Sequence, residues 1–91
     1  MIQVAPAELE AMLISHPKIQ DAAVIGVPDD SAGELPKAYV VSTSGISKEE
    51  INTYVESHVS PYKKLRGGIE FIDEIPKSNT GKILRRVLKE R

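Results

Sequence analysis

Two runs of β-branched and small apolar residues flank a stretch dense in turn formers, and no other feature constrains the fold as strongly. Residues 19–27 contain Ile19, Ala22, Ala23, Val24, Ile25 and Val27, and residues 37–43 contain Ala38-Tyr39-Val40-Val41. Pro28-Asp29-Asp30-Ser31-Ala32-Gly33 separates them, and these are residues that turn a chain. The pattern predicts an antiparallel pair joined by a connection longer than a tight hairpin. Ile69-Glu70-Phe71-Ile72 predicts a third strand, short enough for either an edge or a central place.

Three helical segments accompany these strands. Pro6 suits the first position of a helix, where its missing N–H would be unpaired anyway. Leu9, Met12, Leu13 and His16 follow at helical spacing until Pro17, predicting a helix over 6–15. The clearest start signal is Ser47-Lys48-Glu49-Glu50, a capping box with Ser47 as N-cap and Glu50 reaching back, flanked by Ile46 and Ile51 at the staple positions. Ile51, Tyr54, Val55, His58 and Val59 form the buried stripe of that helix, and Pro61 stops it. Ile83, Leu84, Val87 and Leu88 give one apolar side to a last helix whose other side is Lys82, Arg85, Arg86, Lys89 and Arg91. The order α-β-β-α-β-α predicts an α+β domain: a small three-stranded sheet packed with helices.

Ninety-one residues make one domain, 1–91, with a small core. The absence of cysteine excludes a disulfide framework, a thiolate nucleophile and zinc-finger spacing. His16 and His58 stand far apart with no motif around them, so no metal site is expected, and His58 reads as a packing residue. No run approaches the roughly 18 apolar residues of a membrane-spanning helix, and no signal peptide opens the chain. Ile2-Gln3-Val4 begins in mid-pattern with no turn before it, as in a fragment of a longer chain. The isolated domain is expected to be monomeric.

The net charge of −1 hides an asymmetry. Residues 1–34 contain six acids against Lys18, whereas residues 61–91 contain nine bases against four acids. An anionic ligand would be sought at the basic end, although on charge alone a solvated helix face is the favoured account. There the sequence reads Pro76-Lys77-Ser78-Asn79-Thr80-Gly81-Lys82-Ile83-Leu84-Arg85-Arg86. Gly81-Lys82 resembles the end of a phosphate-binding P-loop, but that loop needs glycine where Pro76 stands and Ser or Thr where Ile83 stands. Nucleic-acid binding lacks support, because among Tyr39, Tyr54, Tyr62 and Phe71 only Tyr62 lies in a basic stretch. A third reading is a lysine delivered to a separate active site. Pro76 stiffens the approach, Ser78, Asn79 and Thr80 offer turn-forming oxygens, and Gly81 permits positive φ. A compact ammonium held in this way suits charge that develops in a transition state.

Three stretches together resemble the small C-terminal lid domain of the adenylate-forming enzymes, which include acyl-CoA synthetases, peptide-synthetase adenylation domains and beetle luciferases. They are Gln3-Val4-Ala5-Pro6-Ala7-Glu8-Leu9-Glu10, Gly33-Glu34-Leu35-Pro36-Lys37-Ala38-Tyr39-Val40-Val41, and the turn from Pro76 to Lys82. The resemblance covers the whole chain in order, nearest to the 4-coumarate–CoA ligase and firefly luciferase branch. Lys63-Lys64-Leu65-Arg66-Gly67-Gly68 leans toward the luciferases, and Ser78-Asn79-Thr80-Gly81-Lys82-Ile83-Leu84-Arg85 toward the CoA ligases.

The resemblance implies a mobile domain of an ATP-dependent acid–CoA ligase. Its partners would be a large N-terminal domain of the same polypeptide, which binds ATP and a small carboxylic acid, with CoA and Mg²⁺ in the complete enzyme. Lys82 matches the lysine that assists acyl-adenylate formation, and Thr80 and Gly81 match the loop presenting it. Gln3 matches a glutamine that approaches the adenylate, and Lys63, Lys64 and Arg66 either meet CoA phosphates or form a solvated loop. Met1 and Ile2 depart from the family's glycine and larger aromatic. The hinge residue and the lysine of the second step lie upstream of this chain in the family, so residues 1–91 alone would be inactive. A luciferase-type adenylating monooxygenase and a non-catalytic interaction module of the same fold stay open as alternatives. The end, Lys89-Glu90-Arg91, is not a Ser-Lys-Leu address, and both cytoplasm and peroxisome remain open.

Overall fold

The computed structural model describes residues 6–30, 33–42, 45–58 and 67–90. In chain order these form α1 (Pro6–Ile14), β1 (Asp21–Asp29), β2 (Gly33–Val41), α2 (Lys48–His58), β3 (Gly68–Phe71) and α3 (Arg85–Lys89), the predicted α-β-β-α-β-α. The strands make one mixed sheet in the order β1-β2-β3. β1 runs antiparallel to β2, from Asp21↔Val41 to Asp29↔Gly33, and β3 runs parallel to β2, from Lys37↔Gly68 to Val40↔Phe71. The short third strand is therefore an edge.

Period-two alternation sorts the strand residues onto two covered faces. Ala22, Val24, Ala38, Val40 and Ile69 face α1 and α2 and pack with Leu9, Leu13, Ile51 and Val55. Ala23, Ile25, Tyr39 and Val41 face the other way and pack with Ile75 and Leu88. Burial on both sides explains why both strand segments read as nearly continuous apolar runs.

The strands extend further into the turn region than expected, shortening the connection to residues 30–32 and incorporating Pro28 and Pro36. Register explains the tolerance. The backbone N–H and C=O of Val24 point away from β2, toward Glu10 and Arg85. Pro28, four residues on, shares that outward parity at the sheet edge, where a missing N–H breaks no ladder bond. Pro36, paired with Gly26, points toward β3 one residue before that ladder begins. Its carbonyl accepts the Gly67 N–H at 2.8 Å.

α2 starts as its capping sequence predicts: Ser47 Oγ accepts the Glu50 N–H at 3.1 Å, and Ile46 and Ile51 are buried. Among the described residues the Glu50 carboxylate meets Lys18 Nζ at 3.5 Å instead of reaching back to the cap. Tyr54 packs edge-on against His16, with ring centroids 4.6 Å apart. The His58 side chain, Val59 and Pro61 lie outside the described residues.

The last helix differs most from expectation. It is only five residues long and begins after Lys82, not at it. Leu88 is buried and Ile83 packs against the core, but Leu84 and Val87 are exposed, since one short turn of helix covers only a strip of sheet. Arg85, expected on the solvated side, instead turns inward to Glu10 and β1.

Candidate functional site

The Lys-bearing turn is a small hairpin built on the chain leaving β3. Ile72 N–H donates to the Val40 carbonyl at 3.0 Å, and Ile75 is buried, so the chain reaches Pro76 anchored to the sheet. Lys77 and Ile83 then pair as an antiparallel bridge. Inside it, Gly81 N–H donates to the Ser78 carbonyl and Ser78 N–H donates to the Lys82 carbonyl, both at 2.9 Å. Gly81 has φ +85°. This is the bonding of a three-residue hairpin loop, Asn79-Thr80-Gly81, closed by a left-handed glycine. A Cβ at Gly81 would meet nothing within 4 Å, so conformation, and not crowding, calls for glycine.

Side chains complete the frame. Ser78 Oγ accepts the Lys82 N–H at 3.2 Å and shares a 2.9 Å hydrogen bond with Thr80 Oγ1. Leu84 N–H returns to the Pro76 carbonyl at 2.9 Å. Backbone on either side of Lys82 is thus pinned, while its side chain stands exposed.

The two lysines that bracket the turn have different surroundings. Lys77 Nζ lies 2.6 Å from Asp21 Oδ2 at the start of β1. Lys82 has no ion-pair partner among the described residues. A groove of about 590 Å³ at the root of the hairpin is lined by Asp21, Asp73, Glu74 and Lys77, with Leu84 at its side. Its carboxylates repel phosphates, so an anion would meet this region at the hairpin's tip, beside Lys82.

Thr80 and Gly81 lie in the loop of this hairpin and Lys82 directly follows them. Gln3, Lys63, Lys64 and Arg66 lie outside the described residues. The sequence reading does not anticipate the anchoring of the hairpin through Asp21 and through Arg85, whose guanidinium lies 2.6 Å from Glu10. Glu10 precedes Arg85 by 75 residues, and no local pattern marks such a pair.

Comparison with known proteins places the chain in a family. The chain is 52% identical to acyl-CoA ligase lcsD of Purpureocillium lilacinum, an alignment covering 99% of this chain and 25% of that protein. It is 56% identical to luciferin 4-monooxygenase of Photinus pyralis and equally to 4-coumarate–CoA ligase-like 9 of Oryza sativa subsp. japonica, covering 97% of this chain and 16% of each. The chain thus spans a quarter or less of the length of these relatives. Among solved structures, it superposes on a Mycobacterium tuberculosis fatty acyl CoA synthetase with a TM-score of 0.87 and 39% identity, covering 96% of this chain and 17% of the other. With the o-succinylbenzoate CoA synthetase of Bacillus subtilis in complex with an acyl-adenylate intermediate, the TM-score is 0.90 at 33% identity, covering 97% and 18%. The model of the AMP-binding enzyme C-terminal domain matches residues 8–82, from α1 to the hairpin lysine, and the chain belongs to that family.

Proposed function

We propose that this domain is the mobile lid of an ATP-dependent carboxylic acid–CoA ligase and that Lys82 serves its first half-reaction. The observation that carries the reading is an exposed ammonium, without an ion-pair partner among the described residues, on a hairpin whose backbone is hydrogen-bonded on both sides of it. A carboxylate oxygen attacks the α-phosphorus of ATP, the bond to pyrophosphate breaks, and acyl-adenylate forms. Negative charge gathers on the phosphate oxygens as this happens. A fixed ammonium offsets it without reorganising, which is how preorganised charge lowers a barrier. The lid then turns away, the CoA thiol attacks the acyl carbonyl, and AMP leaves.

ATP and the acid would bind on a large N-terminal domain of the same polypeptide, as the much greater length of the relatives suggests. Among the described residues no group of three His, Asp or Glu side chains could hold a metal. Mg²⁺ would accompany the ATP phosphates on the larger domain. Thr80 and Gly81 shape the presenting loop, Gln3 would approach the adenylate, and Lys63, Lys64 and Arg66 would meet CoA phosphates.

A second reading has a specific basis, because several relatives at 53–56% identity are luciferin 4-monooxygenases. Such an enzyme shares the adenylation step and then uses oxygen. Assay of the complete polypeptide for CoA-dependent thioester and for light with luciferin separates the two. The test of the lysine itself is Lys82→Ala in that polypeptide. Acid-dependent ATP–pyrophosphate exchange should fall by several orders of magnitude, while thioester formation from pre-made acyl-adenylate survives. Retention of exchange would leave only a non-catalytic interaction module.

A further inference from the structure

A partly buried ionic clasp lies next to the hairpin, and the adenylation reading makes no use of it. Glu10, on α1, has a side chain only 8% exposed. One of its oxygens accepts the Val24 N–H at 2.8 Å, and both lie 2.6 Å from Arg85 Nη2. Arg85 Nε donates to the Val24 carbonyl at 3.1 Å. The carboxylate, the guanidinium and the outward backbone edge of β1 close a ring that joins the first helix, the edge strand and the first residue of α3.

Stability alone is a weak reason for this arrangement. Desolvating the Glu10 carboxylate offsets part of its attraction to the Arg85 guanidinium, which is 35% exposed, so the pair is weak evidence of net stabilisation. What the clasp fixes is the position of Arg85, three residues after Lys82. On the other side of the hairpin, Lys77 is held to Asp21. Asp21 and Val24 are three residues apart on one strand, roughly 10 Å, so the hairpin hangs from β1 at two points.

We propose that Glu10 and Arg85 are positioning residues for Lys82, holding the hairpin at the angle from which its ammonium reaches the reacting phosphate. The clasp rests on the reading of Lys82 as the adenylation lysine. A rival account is that it only covers the exposed edge of β1 against pairing with another chain. That role would disturb folding and both half-reactions together, whereas a positioning role disturbs only the half-reaction that uses Lys82.

The experiment compares Glu10→Gln, Arg85→Ala and Arg85→Lys in the complete polypeptide, with Lys82→Ala as reference. Ile51→Val, on the buried face of α2, controls for lost stability. Misplacement of a catalytic group by about 1 Å costs on the order of 100-fold. Glu10→Gln and Arg85→Ala should therefore lower the turnover of acid-dependent ATP–pyrophosphate exchange by about 10- to 100-fold with little change in the KM for ATP. Thioester formation from pre-made acyl-adenylate should stay within about 2-fold of wild type. Arg85→Lys, which keeps the charge but loses the fork, should recover part of the lost exchange. Ile51→Val should lower the melting temperature without touching exchange.

Equal falls in both half-reactions, tracking melting temperature, would reduce the clasp to a structural brace. Wild-type exchange in Glu10→Gln and Arg85→Lys, with Lys82→Ala inactive, overturns the clasp alone. Normal exchange in Lys82→Ala overturns the lysine reading and the clasp with it. If Arg85→Ala does not fold, the other two variants decide.

Discussion

Gly81 and Gly67 show two different reasons for a glycine. Gly81 needs its left-handed backbone, at φ +85° in open space. Gly67 needs room, because a Cβ would come within 2.7 Å of Val27 Cγ2 and 2.9 Å of the Pro36 carbonyl oxygen. Gly81→Ala should therefore destabilise the domain by about 1 kcal/mol through the left-handed backbone, with Gly81→Asn costing less. Urea unfolding measures both, and equal stabilities for alanine and asparagine would contradict the conformational account. Gly67→Ala should cost more than a surface substitution, since the backbone oxygen of Pro36 cannot rotate away; an unfolding midpoint unchanged from wild type would count against that. The left-handed need at Gly81 is legible in the sequence, because turn residues precede it and the residue type carries the permission. The crowding at Gly67 is not, because Val27 and Pro36 come from other strands.

At the scale of elements, local signals and tertiary partners divide the work. The Ser47 cap is readable from four consecutive residues, and Ser47→Ala should cost about 1 kcal/mol in denaturant unfolding. A change below a few tenths would mean that tertiary packing of Ile46 and Ile51 holds the helix without it. Across β2 and β3, Lys37 Nζ lies 3.3 Å from Glu70 Oε1 and 4.9 Å from the Tyr39 ring centroid. Burial pushes the Lys37 pKa down, but hydrogen bonding and charge from Tyr39 and Glu70 outweigh it and raise the value above 10.5. A raised lysine contributes stability that is complete below its ordinary pKa and is lost as pH rises through the folded value. Glu70→Gln should thus cost at most about 1 kcal/mol near neutral pH for a pair this exposed. The gap to wild type should close above pH 10.5. A gap that persists to more alkaline pH would sink the assignment. α3 was the element least legible in sequence: its apolar and basic residues alternate convincingly, but only Leu88 is buried, its carbonyl accepting the Tyr39 hydroxyl at 3.1 Å.

For the molecule as a whole, the described sheet is covered on both faces, so the hairpin and its lysine belong to one packed body. If Lys82 serves adenylation as proposed, residues 1–91 alone should give no acid-dependent ATP–pyrophosphate exchange, because ATP and the acid would bind on the larger domain. Exchange by the isolated domain, above a Lys82→Ala background, would refute the lid reading. The sequence by itself determined the α-β-β-α-β-α order, the antiparallel pair, the capped second helix and the glycine-closed lysine turn. Each of these follows from periodicity or from the conformational preference of residues adjacent in the chain. The tertiary structure alone decided the parallel third strand, the register that admits Pro36, the pairing of Lys77 with Asp21 and the burial of Glu10 against Arg85. Those depend on which distant residues meet when apolar faces are buried, and a charged side chain looks the same in sequence whether water or a carboxylate 75 residues away will surround it.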